Sequence, residues 1–379
     1  MKSRTLRAVL GITAVAGLLA PALSGAQQPS TFTVIATGLE APRGLKFGPD
    51  GDLYVAEAGL GGNRSTVGTC EQAPAPVGPY HGGSSGRISK ISAGGKLTTV
   101  ASGFPSSLAA IGDLMGVADV AFLDGNLYAL LAGGGCSHGN PDSPSGIARV
   151  DRSTGKWTLI ADIGAWLKTH PAKFESADDF EPDGSLYSMI AADGVLYTVE
   201  PNHGQLLAVT PNGSIRQVVD VSASQGHIVP TSVAERHGVF YVGNLNLFPI
   251  DPQWARVQVI ARGDDDDQQL APAFSPSQGY HIVNSRAGFT TVVAVDFGPD
   301  GLLYALELSD AAGYPTPGAG KVVRVRHSGE IEDVITQLTV PTGMKFGPDG
   351  RLYVSDLGAV PAPVFGVGRI LRFDVPPGW

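Results

Sequence analysis

Six short phrases in this sequence carry a Leu-Tyr or Phe-Tyr pair, and the residue three positions past the tyrosine is polar in five of them. Counting from Tyr54, Tyr128, Tyr197, Tyr241, Tyr304 and Tyr353, that position holds Glu57, Leu131, Glu200, Asn244, Glu307 and Asp356. Four carboxylates and a carboxamide at equivalent places suit a hard cation such as Ca2+, which takes oxygen ligands. If the positions converge, carboxylates about 8 Å apart repel by about 2 kcal/mol per pair at an effective dielectric near 20. A cation would offset that. The competing expectation is structural: each carboxylate accepts backbone N–H bonds from the next loop, and Arg43 is placed to pair with Glu57.

Other candidates are weaker. Tyr80, His81, His138, His203 and His227 fall in loops, and the histidines could bind a transition metal or serve as acid and base near neutral pH, but they share no ligand spacing such as H-x-x-x-H and read as scattered loop residues. Gly82 to Gly86 matches G-x-S-x-G, yet a strand follows it, where a nucleophile elbow needs strand then helix. No phosphate-binding G-x-x-x-x-G-K-[ST] occurs.

These residues are positioned by a repeat. Phe47-Gly48-Pro49-Asp50-Gly51 recurs at 297–301 and 346–350, each followed by Leu-Tyr, with degenerate copies at Asp124-Gly125, Asp193-Gly194 and His237-Gly238. Pro then Asp-Gly between apolar runs is β-hairpin chemistry. Strand pairs follow at 86–91 with 96–101, 146–151 with 156–161, 205–209 with 215–221, and 321–325 with 331–336. The tyrosines lie 44 to 74 residues apart, a four-strand propeller blade enlarged by loops. The sixth copy ends after its third strand, 369–375, and the strand at Phe32 to Ala36 supplies the fourth. The expectation is an all-β, six-bladed β-propeller of four-stranded blades, closed by its N-terminal strand. One helix is expected, near Ala161 to Lys168. The 51 Gly and 28 Pro among 379 residues agree with a turn-rich fold and disfavour helices.

In that frame the acidic positions end the second strands, around the mouth of the central channel. The inner strands begin at Arg43, Ala118, Tyr187, Thr231, Val293 and Thr342, so Arg43, Tyr187, Thr231 and Thr342 join Tyr80, His81 and His138 as candidate ligand-facing residues. Cys70 and Cys136 lie in same-face loops of adjacent blades, and a disulfide between them is predicted.

The phrase from Thr37 to Gly51, the run 53–59 and Pro230 to Ala234 resemble the exported ScyD/ScyE family over essentially the whole mature chain. The resemblance implies a six-bladed propeller related to NHL and gluconolactonase-type propellers, without an assigned activity. Gluconolactonase-type enzymes place metal ligands at inner-strand starts; here no carboxylate stands there, and Asp119, one position on, is the nearest substitute.

Lys2, Arg4 and Arg7, an apolar run to Ala20 and small residues ending at Ala26 form a secretory signal peptide. Residues 27–379 are then one domain, periplasmic or extracellular, with no membrane span. The mature chain has 23 basic and 35 acidic residues, a formal charge of −12, which disfavours nucleic acid. The acidic run Asp264 to Asp267, which follows Arg262-Gly263 and so completes an RGD tripeptide, reads as a solvated loop tip. The functional expectation is a monomeric binding or accessory module for a small molecule or protein, acting through the loop-rich face at the channel mouth. The alternative is a metal-dependent hydrolase or lyase using the acidic ring.

Overall fold

The repeated turn phrase does three jobs in the folded chain. The Asp50 carboxylate accepts the Tyr54 hydroxyl at 2.7 Å, and Asp300 with Tyr304 and Asp349 with Tyr353 repeat the bond at 2.8 and 2.9 Å. The second glycine of each phrase, Gly51, Gly301 and Gly350, sits at φ of 79°, 77° and 74°, where an L side chain is strained. The first glycine makes room for the tyrosine: a Cβ on Gly48, Gly298 or Gly347 would lie 2.6, 2.5 or 2.8 Å from its ring. Each tyrosine then meets a phenylalanine of the next blade edge-on. Tyr54 with Phe122, Tyr241 with Phe297, Tyr304 with Phe346 and Tyr353 with Phe47 have centroids 4.8 to 5.0 Å apart, each contact contributing about 0.5–1.5 kcal/mol beyond its buried area.

The computed structural model describes residues 31–263, 279–361, 363–376 and 378. They form six antiparallel sheets. The inner strands Pro42–Phe47, Val117–Leu123, Met189–Ala192, Pro230–Arg236, Val292–Phe297 and Gly343–Phe346 contact one another in that order, and the last returns to the first. Thr33–Leu39 pairs with Gly368–Phe373 and completes the sixth blade, closing the six-bladed propeller and removing its open edges.

Three local expectations change. Blade one has five strands, because Leu97–Leu108 runs longer than expected and receives the short strand Leu114–Met115. The helix shrinks to Ile163–Leu167, since strand Trp157–Asp162 claims its start and Asp162 caps it by accepting the Ala165 N–H at 2.8 Å. Blade four gains outer strands Ala255–Arg262 and Tyr280–Phe289, which the acidic run between them obscured in the sequence. That run, Asp264 to Asp267, and the expected signal peptide lie outside the described residues.

The inner strands start on the face that carries the long loops. Pro230 to Ala234 are buried while Glu235 and Arg236 are half-buried, and Gly343 and Met344 are buried while Lys345 and Phe346 are half-buried. The channel is therefore more closed at its loop-rich end. Tyr187, Leu245, Ala359 and Val360 pack there against Val293, Leu308 and Val340. Inside remains a cavity of about 170 Å³, crossed by the ion pairs Lys46–Asp119 at 3.0 Å and Lys345–Asp296 at 2.7 Å.

Candidate functional site

The five polar positions are five separate ties. Glu57 accepts the Glu40 N–H at 2.6 Å, Glu307 the Thr290 N–H at 3.0 Å and Asp356 the Thr339 N–H at 2.7 Å. Each donor lies 17 residues upstream, where the chain turns into the inner strand. The cation comes from the facing residue of the third strand: Arg87 to Glu57 at 2.6 Å, Lys321 to Glu307 at 3.8 Å, Arg369 to Asp356 at 2.7 Å. Glu200 accepts the Ser185 N–H at 2.8 Å and meets His203 Nδ1 at 2.9 Å. Asn244 accepts the Arg256 N–H at 2.9 Å and donates to Ile228 O at 3.0 Å. Leu131, buried, faces Gly146.

Of the two readings, the geometry matches the structural one, with separate hydrogen-bonded ties in place of convergence on one cation. All five side chains turn into their own blades, and their charge is offset locally. Among the described residues no group of three or more His, Cys, Asp or Glu side chains is placed to hold a metal. The expected Arg43–Glu57 pair is also replaced. Arg87, the cross-strand neighbour, occupies Glu57, while Arg43 reaches Asp113 at 3.1 Å and the Leu114 carbonyl.

The ties are not equally balanced. Burial pushes the Glu307 carboxyl up to about 7, only partly opposed by Lys321 and the Thr290 N–H, and Glu307 Oε2 has no hydrogen-bond partner. Burial also raises Asp356 despite Arg369. For Glu200 burial acts upward, but His203 and two backbone N–H groups hold the carboxyl below its ordinary value.

The ligand-facing set divides as well. Thr231 donates to Val292 O and Thr342 to Pro42 O, so each is a buried stitch to the next blade's inner strand. Tyr187 lines the channel cavity beside Arg43, with burial holding its hydroxyl up to about 12. His81 is half-buried and opens strand His81–Ile91. Tyr80 and His138, both buried, meet at one carboxylate: Tyr80 donates to Glu181 Oε1 at 2.7 Å, and His138 Nε2 lies 3.0 Å from Oε2.

Open space on the loop-rich face lies off the axis. The predicted disulfide is formed, Cys70 to Cys136 with Cα atoms 6.3 Å apart, in keeping with an oxidising, extracytoplasmic compartment. With Glu71 it walls a cleft of about 400 Å³ whose other sides include Leu167, Lys168, Glu175, Phe180, Asp183 and His203. Lys168 pairs with Asp183 at 2.7 Å, and the Phe180 ring stands edge-on to His203 at 5.4 Å. The segment between the helix and blade three, which supplies half of these walls, was missed as a site. Its signal was present: Glu175, Asp178, Asp179, Glu181 and Asp183 place five acids in nine residues.

No family model matches the sequence, and no curated protein matches it. Solved structures share the fold. A calcium-binding protein, regucalcin, from Agrobacterium tumefaciens is 16% identical with a TM-score of 0.54, covering 93% of this chain and 96% of its own. A gluconolactonase from Xanthomonas campestris is 12% identical with a TM-score of 0.52, covering 92% and 95%. The PQQ-bound aldose sugar dehydrogenase of Streptomyces coelicolor is 14% identical, with a TM-score of 0.52 and coverage of 92% and 100%. At such identity the likeness is one of fold alone, that of a six-bladed propeller. Function must be argued from the site.

Proposed function

We propose that this protein is an exported binding module, akin to the ScyD/ScyE family it resembles, whose ligand occupies the cleft beside the Cys70–Cys136 disulfide. The observation that carries the reading is the convergence there of loops from blades one to three with both apolar and charged walls. Leu167, Pro171, Phe180 and Pro182 offer apolar surface, while Lys168, His203, Glu175 and Asp183 offer donors and acceptors. A few polar groups in an otherwise apolar concavity are the usual make-up of a small-molecule site. The suited ligand is a small molecule with one apolar face and a polar edge. The ScyD/ScyE likeness and the N-terminal signal-peptide pattern support a location in the periplasm or medium, with cleavage near Ala26. A metal-dependent hydrolase or lyase would need oxygen ligands that Glu57, Glu200, Asn244, Glu307 and Asp356 have committed to their own blades.

Thermal-shift screening of the mature protein against a small-molecule fragment library tests this. Fragments that raise the wild-type Tm should lose that effect in Phe180→Ala and Lys168→Ala. Equal shifts in wild type and both variants would overturn the reading.

A further inference from the structure

We propose that residues 169–183 form a strap latched by histidines over this cleft, closed while the histidines are protonated and released as pH rises, so that access to the cleft is set by pH. The latch itself stands on contacts within the chain; only its consequence for a ligand rests on the binding reading above.

The strap has little apolar anchorage. Pro171, Lys173, Phe174, Glu175, Ala177 and Asp178 are exposed, and Phe174, its first aromatic residue, is 51% exposed. Burial of apolar area, the usual source of adhesion, therefore holds its first half weakly. Polar contacts take that role. Lys173 N–H donates to Asp220 at 2.7 Å and Phe174 N–H to Ser222 at 3.1 Å, while the far end is fixed by Lys168 and by Ser137 N–H on Asp183, each at 2.7 Å.

Between these ends, three strap carboxylates each face a histidine from a different part of the propeller. Glu181 meets His138 of the blade-two loop at 3.0 Å, Asp179 meets His227 at the entry to blade four at 2.8 Å, and Glu175 lies 3.7 Å from His203 of blade three. All three histidine side chains are at most 9% exposed.

The geometry at His138 fixes the proton count. Nδ1 lies 2.6 Å from the Gly134 carbonyl oxygen and Nε2 lies 3.0 Å from Glu181 Oε2. The carbonyl can only accept, and the carboxylate can only accept while ionised, so both ring nitrogens must carry hydrogen. Removing one proton leaves a lone pair facing an oxygen lone pair in a buried site, which costs the contact.

The surroundings favour the charged form of His138 and His203. His138 is faced by Glu181, by Asp183 and by the Tyr80 ring, whose hydroxyl already donates to Glu181. His203 is faced by Glu200, Glu175 and Glu181 and by the Phe180 ring, and His227 by Asp179. Burial pulls the first two rings down, yet these carboxylates leave both above the ordinary histidine value of 6.5. With the folded values raised, the latch is fully present below 6.5 and is lost as pH rises through the higher folded values of His138 and His203.

The test is hydrogen exchange on the full mature protein without ligand, between about pH 5.5 and 9, with rates corrected for intrinsic exchange chemistry. Protection of peptides covering 170–182 should fall about tenfold for each pH unit by which a latch histidine is raised, while inner-strand peptides keep theirs. His227→Asn and Asp179→Asn, which remove the 2.8 Å contact between those side chains, should each speed strap exchange at pH 6, and Glu175→Gln, opposite His203, should also flatten the pH response. Glu181→Gln should do so more strongly if it folds. Strap protection that is constant with pH, or that falls only together with the inner strands, would overturn the proposal, as would unchanged exchange in both His227→Asn and Asp179→Asn.

Discussion

Glu307→Gln isolates the least balanced of the five ties. The side chain is 2% exposed, its nearest cation is 3.8 Å away, and burial takes its carboxyl from an ordinary 4.5 to about 7. Between those values the native protein keeps a proton that the unfolded chain has released, so stability falls as pH rises. At 1.36 kcal/mol per unit, the 2.5-unit span amounts to about 3 kcal/mol by pH 8. The amide cannot ionise, but it can still accept the Thr290 N–H that the carboxylate accepts at 3.0 Å. Urea unfolding of both proteins at several pH values from about 4.5 to 8 reads the difference directly. The variant should gain on wild type with rising pH by up to about 3 kcal/mol and then level off. A difference that is constant with pH, or a wild type that gains on the variant, would refute the reasoning.

Three other outcomes follow from the same contacts. Arg87→Ala leaves the fully buried Glu57 without its bidentate partner, and chemical denaturation should show a loss of about 3–5 kcal/mol, reduced when Glu57→Gln is added. Replacing Cys70 and Cys136 by Ser opens a crosslink spanning 66 residues; the chain-entropy model gives about 4 kcal/mol, measured against the oxidised wild type. Because the five polar side chains turn into separate blades and do not converge, melting in excess Ca2+ and in EDTA should give the same Tm, and a calcium-dependent rise would contradict that assignment.

The ring of six blades was legible because one phrase encodes it locally. Phe-Gly-Pro-Asp-Gly followed by Leu-Tyr contains the turn, the strand and the inter-blade contact, and all three appear in the structure around Asp50, Tyr54 and Phe122. The disulfide was legible for the same reason, since blade order alone placed Cys70 and Cys136 on one face. The role of the acidic positions was only half legible. Their spacing revealed equivalence, but whether equivalent carboxylates share an ion or each find a partner depends on the third-strand residue opposite, Arg87, Lys321 or Arg369, and on an N–H 17 residues upstream. Thr231 and Thr342 were misread as ligand-facing because a residue at an inner-strand start faces either the channel or the next blade, and their hydroxyls reach neighbouring carbonyls. The cleft was hidden because it belongs to no repeat. Residues 169–183 are an insertion whose Glu175, Asp179 and Glu181 find their histidines only through tertiary contacts.

The central claim is that binding occurs in the off-axis cleft and at neither the channel nor the acidic positions. Crystals of the mature protein soaked with a fragment that raises its Tm test this most directly. The account predicts density against Lys168, Phe180 and His203, beside the Cys70–Cys136 disulfide. Density inside the channel between Lys46 and Lys345, or an ion bound to Glu57, Glu200, Glu307 or Asp356, would contradict it.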